Sequence, residues 1–253
     1  MLPTRLALCV WRRNLESWKR FALSSFVANL GEPIFYLLAI GYGLGRFVDD
    51  IQGVPYAIFL APGIIAASAM NSASYESTFG SFTRMTEQNT YVALLATPCS
   101  VADVVAGDVL WAATKSLLSV LSVLVAAALF SLLSGPLALA LVPVGFLVGL
   151  MFAGLGMVVT SRAPSYDFFS YYFTLCISVM FLFSGVFFPL ETLPAWARAF
   201  AWLLPLTHAV RLCRALTGGV LEASLAADLL WIVVVTGAAF VLAERLVRRR
   251  LLV

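Results

Sequence analysis

Six stretches of this chain are apolar for long enough to cross a membrane as helices, and that repetition limits the fold more than any motif does. A helix rises 1.5 Å per residue, so about 20 apolar residues cover ~30 Å of hydrocarbon. The runs fall at about residues 26–45, 56–79, 105–133, 137–160, 168–188 and 227–245. In lipid each backbone N–H and C=O must be satisfied within its own segment, which selects helices for such runs. Composition agrees with this: 62% of the 253 residues are hydrophobic and only 11% are charged. An average soluble domain carries roughly 25% charged residues to keep its surface in water. The expected fold is an all-α integral membrane protein, with residues 1–253 forming one transmembrane domain.

The placement of Lys and Arg sets the expected orientation, since cytoplasmic segments accumulate them. With six spans and an inner N-terminus, the inner segments hold Arg5, Arg12, Arg13, Lys19, Arg20, Arg84, Arg162, Arg245, Arg248, Arg249 and Arg250, which is 11 of 16. Arg46, Arg198, Arg211 and Arg214 fall outside, and Lys115 lies within the third run. Both termini are therefore expected in the cytoplasm. A cleavable signal peptide is not expected, because the first apolar run is long enough to span and lacks an A-x-A-like cleavage site.

The segments too short to span carry their own information. Residues 5–20 place Leu8, Trp11, Leu15 and Trp18 on one stripe with Arg12, Arg13, Lys19 and Arg20 elsewhere. This predicts a basic amphipathic helix in the cytoplasmic interface, with its tryptophans among the headgroups. Residues 80–104 form the longest inner loop, in which a polar stretch with Arg84 and Glu87 precedes the short apolar turn Tyr91–Leu95, closed by Pro98. Such a turn can offer a small apolar face to a partner. Residues 189–219 are apolar but interrupted by Pro194, Pro205 and Gly218-Gly219, which predicts two short helices with prolines at their starts and glycine at the end. Each is about half the length needed to cross, so the pair reads as a re-entrant hairpin in the outer leaflet between spans five and six.

Catalytic chemistry has little material. There is no G-x-x-x-x-G-K-[ST], G-x-S-x-G or H-E-x-x-H, and the chain has one histidine, His208. The four cysteines are far apart without metal-ligand spacing, so no metal site is expected. No clustered basic face for nucleic acid stands outside the chain ends. Ionisable groups within apolar spans are the default functional candidates, because lipid burial is costly. Glu32, Glu76 and Lys115 stand out, with Asn71 adding polarity to the second run. Mutual neutralisation near the cytoplasmic face, or a subunit interface, is favoured over a direct transport role. His208 reads as a helix-start residue satisfied by nearby backbone.

Nine strings in order resemble the ABC-2 type exporter permeases, and within them the nodulation protein J-like lipo-oligosaccharide exporters. They include "NLGEPIFYL" (29–37), "FLAPGIIAASAM" (59–70), "WAATKS" (111–116), "LGMVVTSRAPSYDFF" (155–169), "SGVFFPLETLP" (184–194) and "LPLTHAVRLCRALTGG" (204–219). The resemblance implies a homodimeric permease of the bacterial inner (plasma) membrane with six spans. It also implies a transport subunit without its own ATPase, docked on two copies of a cytoplasmic ATP-binding subunit that holds ATP and Mg. A lipid-linked glycan or related amphiphile would be moved outward. The loop between spans two and three would be the coupling helix, here residues 84–98. Tyr91, Leu94 and Leu95 are then its expected docked face, and Arg84 and Glu87 its rim charges. Glu32, Asn71, Glu76, Lys115, Tyr171, Tyr172, Trp196, Trp202 and His208 become candidates for the path or the dimer interface. For the aromatic residues, stacking on sugar and ordinary lipid or core packing both stay open. Export of a hydrophobic drug or antibiotic shares this architecture. A proton-driven secondary transporter would call for an internal inverted repeat, which the sequence lacks.

Overall fold

The computed structural model describes residues 3–20, 22, 34–48, 50, 51, 53–133, 136–219 and 222–252. Among these, the regular structure is helical apart from one isolated bridge between Ile51 and Val54. The main helices are α1 (Leu6–Lys19), α2 (Tyr56–Glu87), α3 (Thr90–Leu95), α4 (Val101–Leu129) and α5 (Leu141–Arg162), followed by α6 (Asp167–Phe183), α7 (Ala195–Ala201), α8 (Pro205–Gly218) and α9 (Ser224–Leu252). Between α1 and α2, helical turns run over Leu37–Gly43 and Leu44–Arg46.

Four of these helices are long and apolar enough to cross a membrane: α2, α4, α5 with its lead-in (Leu137–Arg162), and α9. The expectation of six differs at two places. Part of the first run, including Glu32, lies outside the described residues. The fifth run was expected to reach residue 188, but α6 stops at Phe183 and covers about 25 Å at 1.5 Å per residue. Just beyond, Gly185 takes φ +76°, a left-handed conformation that glycine enters without steric cost.

The second run was expected to end at residue 79, yet α2 continues two turns further, to Glu87. Its polar residues do not break the helix, because their hydroxyls fold back onto the preceding turn. Thr78 Oγ1 donates to Ser74 O, Thr83 Oγ1 to Phe79 O and Thr86 Oγ1 to Phe82 O, all within 2.8 Å. Asn89, at φ +50°, ends it. The expected loop over 80–104 thus shrinks to α3 and its flanks. α4 also begins earlier than expected, at Val101, because Ser100 and Asp103 form a reciprocal capping box.

α5 is the central helix, packed against α2, α4 and α9. Close approach is possible because Gly156 has no side chain: a Cβ there would stand 2.1 Å from Ser77 Oγ. Residues 189–219 form the two short helices expected of them. Pro194 precedes α7, Pro205 opens α8, and Gly219 at φ +71° caps it. α8 packs on α2 and α9.

The first residues of α4 and the last of α2, α5 and α9 meet at one end of the bundle. Arg250 Nη1 donates to Thr160 O and Ala163 O, each at 2.8 Å, and so caps the last turn of α5. α1 lies along the start of α4. Its buried residues Ala7, Val10 and Asn14 recur at helical spacing and face Gly107, where a Cβ would come within 2.5 Å of Val10. This corrects the stripe expected from the sequence. Leu8 is exposed, while Trp11 and Trp18 turn toward α4, Trp11 Nε1 donating to Thr114 Oγ1 at 2.9 Å and Trp18 packing edge-on to Trp111. The helix docks on protein through a face that includes its tryptophans and leaves Leu8 outside.

Candidate functional site

At this same end, α1, α2, α3 and α4 each send polar side chains into one buried cluster. Arg84, near the end of α2, is its centre. Its Nη1 donates to Glu76 Oε1 at 2.7 Å, its Nε to Asp108 Oδ2 at 3.2 Å, and its Nη2 to Ser81 Oγ at 3.1 Å. Lys115 Nζ reaches Glu76 Oε2 at 2.8 Å, and Trp111 Nε1 reaches Glu76 Oε1 at 2.9 Å. Asn14 Nδ2 and the Tyr91 hydroxyl donate to the two oxygens of Asp108, at 2.6 and 2.5 Å.

Two carboxylates and two cations make the cluster formally neutral. That balance lets it exist away from water, since an unpaired buried charge costs several kcal/mol and a paired, fully hydrogen-bonded one does not. Spacing in the sequence explains the convergence. Glu76 and Arg84 are eight residues apart and Asp108 and Lys115 seven, about two turns in each case, so each pair shares a helix face. Gly80 lies between the α2 pair, where a Cβ would fall 2.5 Å from Glu76 Oε1.

The cluster ties the short helix α3 to the spanning helices through Tyr91. Burial, reinforced by the Asp108 carboxylate, holds the Tyr91 phenol well above its ordinary range, so it remains a donor. Two expected docking residues are therefore turned inward: Tyr91 is fully buried, and Arg84 is engaged by Glu76 and Asp108. Leu94 and Leu95 pack partly against the core. Glu87, Val92, Ala93 and Pro98 face outward. Pairing of Glu76 with Lys115 was expected. Asp108 was missed, although it met the same criterion of an acid inside a predicted span, and so was Asn14.

The remaining candidates separate. Asn71 is half-buried on α2. Tyr171 is exposed, whereas its neighbour Tyr172 is buried with its hydroxyl 3.4 Å from Ser74 Oγ. Trp196 is exposed on α7. Trp202 and His208 meet at the opposite end of the bundle. There His208 Nδ1 lies 2.6 Å from Asp228 Oδ1 and Nε2 lies 3.1 Å from Trp202 O. Arg211 Nη1 donates to the same Asp228 oxygen at 3.0 Å, and its guanidinium covers the Trp202 ring at 4.6 Å. The backbone partner expected for His208 is present, and a buried carboxylate joins it. Among the described residues no group of three His, Cys, Asp or Glu could hold a metal ion.

Comparison with known proteins agrees with this architecture. The sequence matches the ABC-2 type transporter family over residues 4–217. It is 40% identical over 245 residues to nodulation protein J of Rhizobium leguminosarum bv. viciae, covering 97% of this chain and 95% of that one. Nodulation protein J of Rhizobium leguminosarum bv. trifolii is 42% identical over 247 residues, with 97% and 94% covered. The inner membrane transport permease YadH of Escherichia coli is 24% identical over 209 residues, with 79% and 78% covered. Apolar helices long enough to cross a membrane, a family match over most of the length and full-length relatives together make this chain a permease of the ABC-2 type transporter family.

Proposed function

We propose that this permease exports a lipid-linked or lipo-oligosaccharide amphiphile from the cytoplasmic side of a bacterial inner membrane. The observation that carries this reading is the 40–42% identity to nodulation protein J over nearly the whole of both chains. Two copies of the permease would form the path, and two copies of a separate ATP-binding subunit would bind ATP and Mg and drive it.

Six crossings with both termini in the cytoplasm fit the positions of the chain ends. α5 finishes at the Arg84 end and α9 begins at the His208 end, so α6 to α8 must carry the chain between them. α1 and the first turn of α2 stand in the same relation. The Arg84 end also collects α1 and the basic tail of α9, which supports placing it in the cytoplasm. The hairpin α7–α8 then lies in the outer leaflet.

The coupling surface is α3 with the end of α2. Its outward residues are Glu87, Val92, Ala93 and Pro98, in place of the buried Tyr91 and Arg84. Motion imposed there would reach the spans through Tyr91–Asp108 and Arg84–Asp108, which join α3 and the end of α2 to α4. The test is reconstitution with the cognate ATP-binding subunit. Wild type is expected to show ATPase stimulation by a lipid-linked oligosaccharide, and Val92→Asp to lose co-purification with that subunit. Stimulation by hydrophobic drugs alone would overturn the substrate class, and intact assembly of Val92→Asp would overturn the coupling surface.

A further inference from the structure

Between α8, the start of α2 and the 189–191 turn lies a cleft of about 620 Å³, at the end of the bundle away from the Arg84 cluster. One wall is apolar, with Val54, Ile58, Pro62, Leu190 and Leu225 among its residues. The other carries Arg211 and Arg214, one turn apart on α8. Arg211 has its counter-charge in Asp228, but Arg214 does not. Arg214 Nη2 donates to Gly185 O at 2.9 Å, its guanidinium lies 3.9 Å above the Phe59 ring, and its Nε is buried without a hydrogen-bond partner. Among the described residues it forms no ion pair. A guanidinium largely removed from water and held by two carbonyls, Gly185 O and, at 3.5 Å, Phe59 O, and a ring face is an incomplete arrangement, because no carboxylate among the described residues contacts it. Glu191 and Glu222 stand at the rim, both exposed; Glu191 attracts Arg214 through space without an ion-pair contact, and solvent weakens that attraction.

We propose that this cleft binds the anionic headgroup of an amphiphile, a phosphate or carboxylate seated against Arg214 and Arg211, with its hydrocarbon along the apolar wall. Planar guanidinium groups suit such oxyanions, which accept paired N–H donors. The site stands independently of the exported substrate, since a membrane phospholipid would satisfy it as well as a cargo headgroup.

The proposal is tested on the purified full-length protein by counting retained lipids in native mass spectra and by thermal shift, with phosphatidylglycerol, phosphatidylcholine and inorganic phosphate as separate probes. Wild type is expected to prefer phosphatidylglycerol over phosphatidylcholine. R214Q should weaken phosphatidylglycerol binding about tenfold, the scale of one lost charged contact, while R214K keeps most of it. E191Q separates the site from an internal pair, because removing a rim carboxylate should strengthen anionic lipid binding if an anion occupies the cleft. Weaker binding or lowered stability in E191Q would show Glu191 to be the counter-ion of Arg214 and overturn the proposal. So would no preference between the two lipids, or protection by inorganic phosphate equal to that by phosphatidylglycerol. If R214Q does not fold, the E191Q result alone decides.

Discussion

Asp108 is the residue on which the buried cluster turns. It accepts from Arg84, Tyr91 and Asn14, so three helices lose a common partner if it changes. Asp108→Asn should cost about 3 kcal/mol, because it leaves a buried positive charge uncompensated. Tyr91→Phe, which removes one neutral donor, should cost about 1 kcal/mol. Thermal unfolding in detergent measures both. The combination Asp108→Asn with Arg84→Gln should recover much of the loss, since it restores neutrality, and simple additivity would contradict the pairing. Much of this site was legible in the sequence: Glu76 and Lys115 stand out as ions inside apolar runs. Asp108 was equally visible on that criterion. The inward turn of Tyr91 was not, because an apolar pentamer with one hydroxyl gives no sign of which neighbour will accept its hydrogen bond.

At the scale of elements, the helix ends follow local chemistry where that chemistry is self-contained. Ser100 and Asp103 close the start of α4, while Pro205 and Gly219 bound α8, and each could be read before the fold was known. Ser100→Ala should cost about 1 kcal/mol as a lost cap. The extension of α2 past residue 79 was less accessible. Its threonines and Arg84 look like loop residues until their partners arrive from α4 and from the turn before α6, such as Tyr166, whose hydroxyl lies 2.8 Å from Thr83 Oγ1. α1 shows the same limit, because its docked face is centred on the gap at Gly107, with the tryptophans beside it, and leaves Leu8 of the expected stripe outside. Gly107→Leu should push α1 off α4, and limited trypsin cleavage at Arg12 and Arg13 should rise several-fold. Unchanged cleavage would mean that α1 is held in place by the membrane surface and not by α4.

For the whole molecule, the two ends of the bundle differ in what they offer. One joins the basic segments and the short helix α3, and the other carries the cleft and the His208–Asp228–Arg211 group. If the first faces the cytoplasm, single cysteines placed in an otherwise cysteine-free chain should report it. Glu222→Cys should react with an impermeant maleimide in intact cells, and Glu87→Cys only after lysis. Fold class and the number of apolar runs were readable from composition and run length. Which end gathers which side chains was not, because that depends on how α5 brings α2, α4 and α9 together. The neutrality of the Arg84 cluster has a practical consequence. Four charges that cancel can be exchanged together for apolar side chains of similar volume, provided that the donors leaning on them, Asn14, Tyr91 and Trp111, are exchanged as well, and buried ion networks replaced whole often lose no stability. A variant altered at Glu76, Arg84, Asp108 and Lys115, with Asn14, Tyr91 and Trp111 made apolar alongside them, should still insert and pair with an ATP-binding subunit while failing to move cargo. It would be a folded, silent transporter in which assembly and work can be studied apart.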